Sequence, residues 1–243
     1  MNIRLILQYD GTNYHGWQIQ KNAETIQQTL ENAVFAVTGE KSSITGCGRT
    51  DAGVHAENYV CNFHTSAKIP PGRYAYALNS VLPHDIVCKS SCEVSDDFCA
   101  NRSAVKKRYV YRIFNSDFPN VFMRNYTWHF KYRLDIEKMR NEAHSFLGTH
   151  DFIGFAASGF TVKTTVRTIY AIDVFKDDDL ITIDVTGNGF LYNMVRIISG
   201  TLAQAGTGKI SNIQEIIESC DRSRAGITAP ACGLCLKEVY YDG

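Results

Sequence analysis

The order in which two hydrophobic periods alternate along the chain limits its fold more than any other feature. Ile3, Leu5, Leu7 and Tyr9 recur at every second position with Arg4 and Gln8 between them, the pattern of a strand with one buried face. The period then changes. Thr25 stands at an N-cap position with Gln28 three residues on, as a capping box requires, and Ile26, Leu30, Ala33, Val34 and Val37 follow at helical spacing as far as Gly39. Residues 43–45 and 58–64 read as strands, Pro70-Pro71 opens a shorter helix through Ala75, Leu78 and Leu82, and residues 86–94 read as a strand. The first half is therefore strand, helix, strand, strand, helix, strand.

The second half repeats that order. Residues 109–114 form a strand, and Asp135 caps a helix carrying Ile136, Met139, Ala143, Phe146 and Leu147, stopped by Gly148. Strands over 165–175 and 180–186 flank the acidic turn Asp177-Asp178-Asp179. A long apolar helix over 190–205 ends at Gly206, a short helix lies around 213–217, and 234–240 is the last strand. Two β-α-β-β-α-β units in series predict an α/β (α+β) fold of two ferredoxin-like halves, residues 1–104 and 105–243, sharing a mixed, largely antiparallel sheet. At 243 residues the chain is long enough for each half to bury a core.

Charge and cysteine usage narrow the function classes. Twenty-five Lys and Arg balance twenty-five Asp and Glu, whereas a nucleic-acid binder usually carries a basic excess, so any surface for RNA must be local. No apolar run has the length of a membrane span and the start has no signal-peptide shape, so a cytoplasmic protein with no membrane partner is expected. The eight cysteines then read as reduced thiols. Cys232 and Cys235 have the spacing of half a zinc site, but no second pair matches them, and neither metal nor cofactor is expected. His55, His64, His129, His144 and His150 are scattered and read as structural.

Four groups of residues can carry chemistry. Residues 46–56, Gly-Cys-Gly-Arg-Thr-Asp-Ala-Gly-Val-His-Ala, hold three glycines and two alanines, so the stretch reads as a loop open to close approach. From that small-residue frame project one cation, Arg49, and one carboxylate, Asp51. Asp51 can serve as nucleophile or base; the plainer alternative is a turn with a local ion pair. Arg49 can contact phosphate or fill the space left by an extruded base. Arg196 is the lone charge of its predicted helix, on a face with Tyr192 and Ser199, and reads equally as functional or solvated. Finally, Arg102, Lys106, Lys107, Arg108 and Arg112 occur without an acid among them, interleaved with Tyr109 and Tyr111. That mixture favours RNA contact over a core-facing tyrosine pair with a basic edge.

The loop resembles the signature of the tRNA pseudouridine synthase A family, and the likeness spans nearly the whole chain. Residues 9–18 (YDGTNYHGWQ) look like the family's opening motif, 25–27 (TIQ) like the start of its first helix, and 107–111 (KRYVY) like its central strand. Residues 147–152 (LGTHDF), 165–169 (TVRTI), 190–196 (FLYNMVR) and 229–234 (APACGL) follow in family order. One departure is Asn101, where the family usually has Arg; Arg102 follows it. The resemblance implies a tRNA pseudouridine synthase with the fold of two halves, needing no cofactor and acting on the anticodon stem-loop of tRNA as a homodimer. It implies Asp51 as the catalytic carboxylate with Arg196 paired to it. Tyr109 would stack on the target base, Leu234 would pack against that base, and Arg49 would hold the vacated space. Two other readings remain open. One is a non-catalytic RNA-binding protein with Tyr109 and Tyr111 as stacking platforms, and the other a small-molecule enzyme with Asp51 as base.

Overall fold

A computed structural model describes residues 1–159 and 162–242. The described chain is mixed α/β and forms two compact units, Met1–Val105 joined by the chain from Leu236, and Lys106–Cys235.

In the first unit β1 (Asn2–Tyr9) is followed by α1 (Ile26–Thr38), β2 (Thr45–Gly46), β3 (His55–His64), α2 (Tyr74–Asn79) and β4 (Ile86–Val94). The alternating pattern of β1 puts Ile3, Leu5 and Leu7 completely inside, and the strand runs antiparallel between β3 and β4, with Leu5 opposite Cys61 and Ser91. β2 adds to β3 through Thr45 and Asn62. From Leu236 onward the last strand, Leu234–Tyr241, lies beside β3. α1 begins where its cap predicts: the Thr25 side chain accepts the Gln28 amide at 3.3 Å. It ends at Gly39, whose φ of +73° lets its N–H reach the Phe35 carbonyl. The expected helix after Pro70 is a 3-10 turn over Pro71–Arg73 leading into α2, and the expected strand over 43–45 is only Thr45–Gly46. β3 starts three residues earlier than its pattern suggests, so His55 and Ala56 belong to the strand and not to the glycine-rich loop.

The second unit carries β5 (Ala104–Phe114) from Lys106 onward, β6 (Trp128–His129), α3 (Ile136–Ala143), β7 (Gly148–Asp151), β8 (Val166–Asp177), β9 (Leu180–Gly187), α4 (Met194–Gly206) and α5 (Ile213–Ser219). β5, β9, β8 and β7 are neighbours in that order and antiparallel, while β6 pairs parallel with the end of β5. The acidic turn closes the β8–β9 hairpin with Asp178 in the left-handed region at φ +48°. Asp135 caps α3 by accepting the Lys138 amide at 3.0 Å, but the helix stops at Ala143 and one 3-10 turn completes it. β10 (Leu234–Tyr241) starts in this unit with Leu234 and Cys235.

α4 departs from its sequence reading. Phe190 to Asn193 lie outside the helix, because Asn193 sits at φ +61° and breaks it. Ser199 and Thr201 are fully buried, their hydroxyls donating to the Val195 and Ile197 carbonyls at 2.8 and 2.7 Å. The helix is thus enclosed on most sides: of the face expected to hold Tyr192, Arg196 and Ser199, Tyr192 is exposed, Arg196 half-buried and Ser199 fully buried. Among the described residues no helix is long and apolar enough to cross a membrane.

Candidate active site

The glycine-rich stretch is a loop from the end of β2 to the start of β3, and the first unit holds it from several sides. Gly46 pairs with Cys61 across β2–β3, and the Cys47 amide donates to the Val60 carbonyl at 2.9 Å. A side chain at Gly46 would overlap the Tyr59 hydroxyl and the Trp17 ring, at 2.1 and 2.6 Å from its Cβ. Those two rings stack with centroids 4.1 Å apart, and the Tyr59 hydroxyl donates to the Gly48 carbonyl. Burial pushes the Tyr59 phenol well above its ordinary range, so it stays a neutral donor.

Asp51 then opens a tight turn. The Val54 amide donates to the Asp51 carbonyl at 3.1 Å, and Gly53 takes the third position at φ +78°, the conformation a type II turn demands there. The turn is pressed against residues 9–17. The Trp17 amide donates to the Thr50 carbonyl at 3.0 Å, the Gly53 amide to the Tyr14 carbonyl at 3.2 Å, and the Tyr9 and Thr50 hydroxyls share a bond of 2.9 Å. Gly16, at φ +86°, lies so close that a Cβ would stand 2.4 Å from the Thr50 carbonyl oxygen. Tyr14 is fixed in turn by donating its hydroxyl to Asp85 at 2.7 Å; burial, then that carboxylate, raise its phenol. The result is a half-buried Asp51 carboxylate on a preformed turn, beside an exposed Arg49 and a buried Thr50. A carboxylate so placed can act as nucleophile or base with little reorganisation.

The other predicted residues lie in the second unit. Arg196, half-buried on the first turns of α4, donates from Nε to the Ala229 carbonyl at 2.8 Å and from Nη1 to Asn193 Oδ1 at 2.7 Å. Its charge is also felt by the Tyr111 hydroxyl and the Cys232 thiol, both of which burial raises and Arg196 lowers. Tyr109 is 9% exposed, with its ring edge-on to Phe190 at 5.2 Å. Leu234 starts β10 behind a 3-10 turn over Ala231–Gly233, where Gly233 backs directly onto the Tyr111 ring.

Two sequence expectations change here. Tyr111 is no stacking platform: it is fully buried, donates to the Pro230 carbonyl at 2.8 Å and meets Trp128 edge-on at 6.4 Å. Arg108 makes a two-toothed bond with Asp184, Nε to Oδ1 at 2.9 Å and Nη2 to Oδ2 at 2.5 Å, so this charge of the basic run is held against a carboxylate of β9. Cys232 donates its thiol to the Thr127 carbonyl, and among the described residues no three His, Cys, Asp or Glu side chains are grouped to hold a metal ion. What sequence reasoning missed is the role of residues 9–17. Beyond Tyr9 they have no hydrophobic period, and their glycines, Gly11 and Gly16, do not by themselves say which segment they pack against.

A family model described as tRNA pseudouridine synthase matches residues 5–102 and 143–242. The chain is similar to tRNA pseudouridine synthase A of Acetivibrio thermocellus, 54% identical over 242 residues and 99% of each chain. It is also similar to the proteins of that name from Thermoanaerobacter pseudethanolicus (51% identical, 99% of each chain) and Ruminiclostridium cellulolyticum (51% identical, 98% of this chain and 99% of that one).

Proposed function

This chain belongs to the tRNA pseudouridine synthase family and is an RNA uridine isomerase, and from that premise we propose that it acts on uridines of the tRNA anticodon stem-loop with Asp51 as its catalytic carboxylate. The observation that carries the reading is the Asp51 turn, which holds a half-buried carboxylate on a frame braced by hydrogen bonds to residues 9–17.

The reaction breaks the N1–C1′ bond of uridine, turns the base and joins C5 to C1′. The proton on C5 is lost and N1 gains one, so atoms and electrons balance without an oxidant or a hydrolytic water. Asp51 either attacks C1′ or removes a sugar proton. Arg196 is its catalytic partner, Tyr109 stacks on the target base, Leu234 packs against that base, and Arg49 occupies the space the extruded nucleotide leaves. The test is to incubate unmodified tRNA with the protein and map the pseudouridines. Product within the anticodon stem-loop is the expected result, and product confined to another arm contradicts it.

The same reading makes the protein a homodimer in the cytoplasm. Supporting it, three large apolar side chains on one segment between β5 and β6, Phe118, Val121 and Phe122, stand 79, 65 and 92% exposed, where a partner surface would cover them. Sedimentation of Phe122→Ser beside wild type tests this: a shift toward monomer is expected.

A further inference from the structure

We propose that His55 is a positioning residue for the reaction, holding the Asp51 turn in place by accepting the Gly11 amide on its Nδ1. The proposal rests on the assignment of Asp51 above. His55 opens β3, four residues beyond Asp51 on the chain leaving the turn, and is 6% exposed. Its Nδ1 lies 3.1 Å from the buried Gly11 amide. Gly11 itself lies flat on the Val54 peptide, where a Cβ would come within 2.0 Å of the Val54 carbonyl oxygen. The end of β1 is therefore pinned to the outgoing side of the turn. The incoming side is pinned by the same segment, through Trp17 to Thr50, Tyr9 to Thr50 and the bare Cα of Gly16. Asp51 is fixed between two anchor points of one nine-residue stretch.

A second neighbour competes for the same nitrogen. Asp10 Oδ1 is also 3.1 Å from His55 Nδ1, and one nitrogen cannot accept from Gly11 and donate to Asp10 at once. The Gly11 bond is the one that governs. That amide is buried, and the Asp10 carboxylate, 27% exposed, already accepts the Thr12 amide and hydroxyl at 2.9 and 2.6 Å. His55 then works as a fixed acceptor through Nδ1. Its part in the chemistry is indirect: a reacting group displaced by about 1 Å loses on the order of 100-fold in rate.

The test compares His55→Leu, His55→Asn and Asp51→Asn with wild type, reading single-turnover rate at saturating tRNA, tRNA Kd and thermal unfolding. His55→Leu is expected to slow the reaction by about 10-fold or more at unchanged Kd. His55→Asn, whose Oδ1 takes the place of Nδ1, is expected to regain most of that loss. A packing role alone would rank them the other way, because Leu fills the buried site better than Asn. The proposal is overturned if His55→Leu keeps the wild-type rate, or if His55→Asn is the slower of the two. Should His55→Leu fail to fold, Tyr9→Phe removes only the hydroxyl bonded to Thr50 and must slow turnover at unchanged Kd; the wild-type rate would overturn the positioning account. Turnover by Asp51→Asn would instead overturn the assignment of Asp51, whatever His55 does.

Discussion

Tyr109 and Tyr111 are two residues apart on β5 and share one face, yet they are packed differently. Alternation makes both legible as one face of a strand, but period alone does not say what that face meets. Packing decides it. The Tyr111 hydroxyl sits inside against the Pro230 carbonyl, while Tyr109 keeps a sliver of exposure beside Phe190. Tyr111→Phe should therefore lower unfolding free energy by about 1 kcal/mol in urea titration. It should leave the tRNA Kd unchanged; a loss of affinity would return Tyr111 to the binding surface. The cysteines divide on the same grounds. Burial drives the Cys61 thiol far up and Cys88 up to about 12. At Cys99 burial also raises the thiol, but hydrogen bonds from Arg102 and Asn101 and the Arg102 charge together carry it below its usual range. In a thiol titration of native protein Cys99 should react well before Cys88, and the reverse order would contradict this burial pattern.

Among the elements, those with a cap and a strong period were legible and those shaped by distant contacts were not. Thr25 and Gly39 mark α1 at both ends, and Thr25→Ala should cost about 1 kcal/mol in equilibrium unfolding. The start of α4 was hidden, because Phe190 and Leu191 continue its apolar pattern while Asn193 leaves the helical region. Gly200 shows the same limit. In a helix interior Ala is the better residue by about 1 kcal/mol, but here a Cβ would lie 1.9 Å from the Ile227 carbonyl oxygen. Gly200→Ala should thus destabilise by about 1–3 kcal/mol, and a stabilised variant would mean that this contact yields easily. At the candidate site, Arg49 and Asp51 were legible from a small-residue loop. The brace behind them was not, since the bonds from Tyr9, Tyr14 and Trp17 to residues 50–53 join positions more than thirty residues apart.

For the molecule as a whole, a net charge of zero means that tRNA affinity must come from particular surfaces. Lys106→Ala and Lys107→Ala should each flatten the log–log salt dependence of tRNA binding by about 0.7–0.9 for every phosphate that the ammonium had neutralised. Slopes unchanged in both variants would mean that neither ammonium lies at a phosphate. Asp51 is proposed to perform the isomerisation of a tRNA uridine. Since the new C5–C1′ bond displaces the C5 hydrogen, the most direct measurement is release of tritium from tRNA labelled at uridine C5, by wild type and Asp51→Asn at equal tRNA occupancy. Wild type should release tritium in step with pseudouridine formed, and Asp51→Asn should bind the tRNA and release none. Release by Asp51→Asn at a rate near that of wild type would contradict the account.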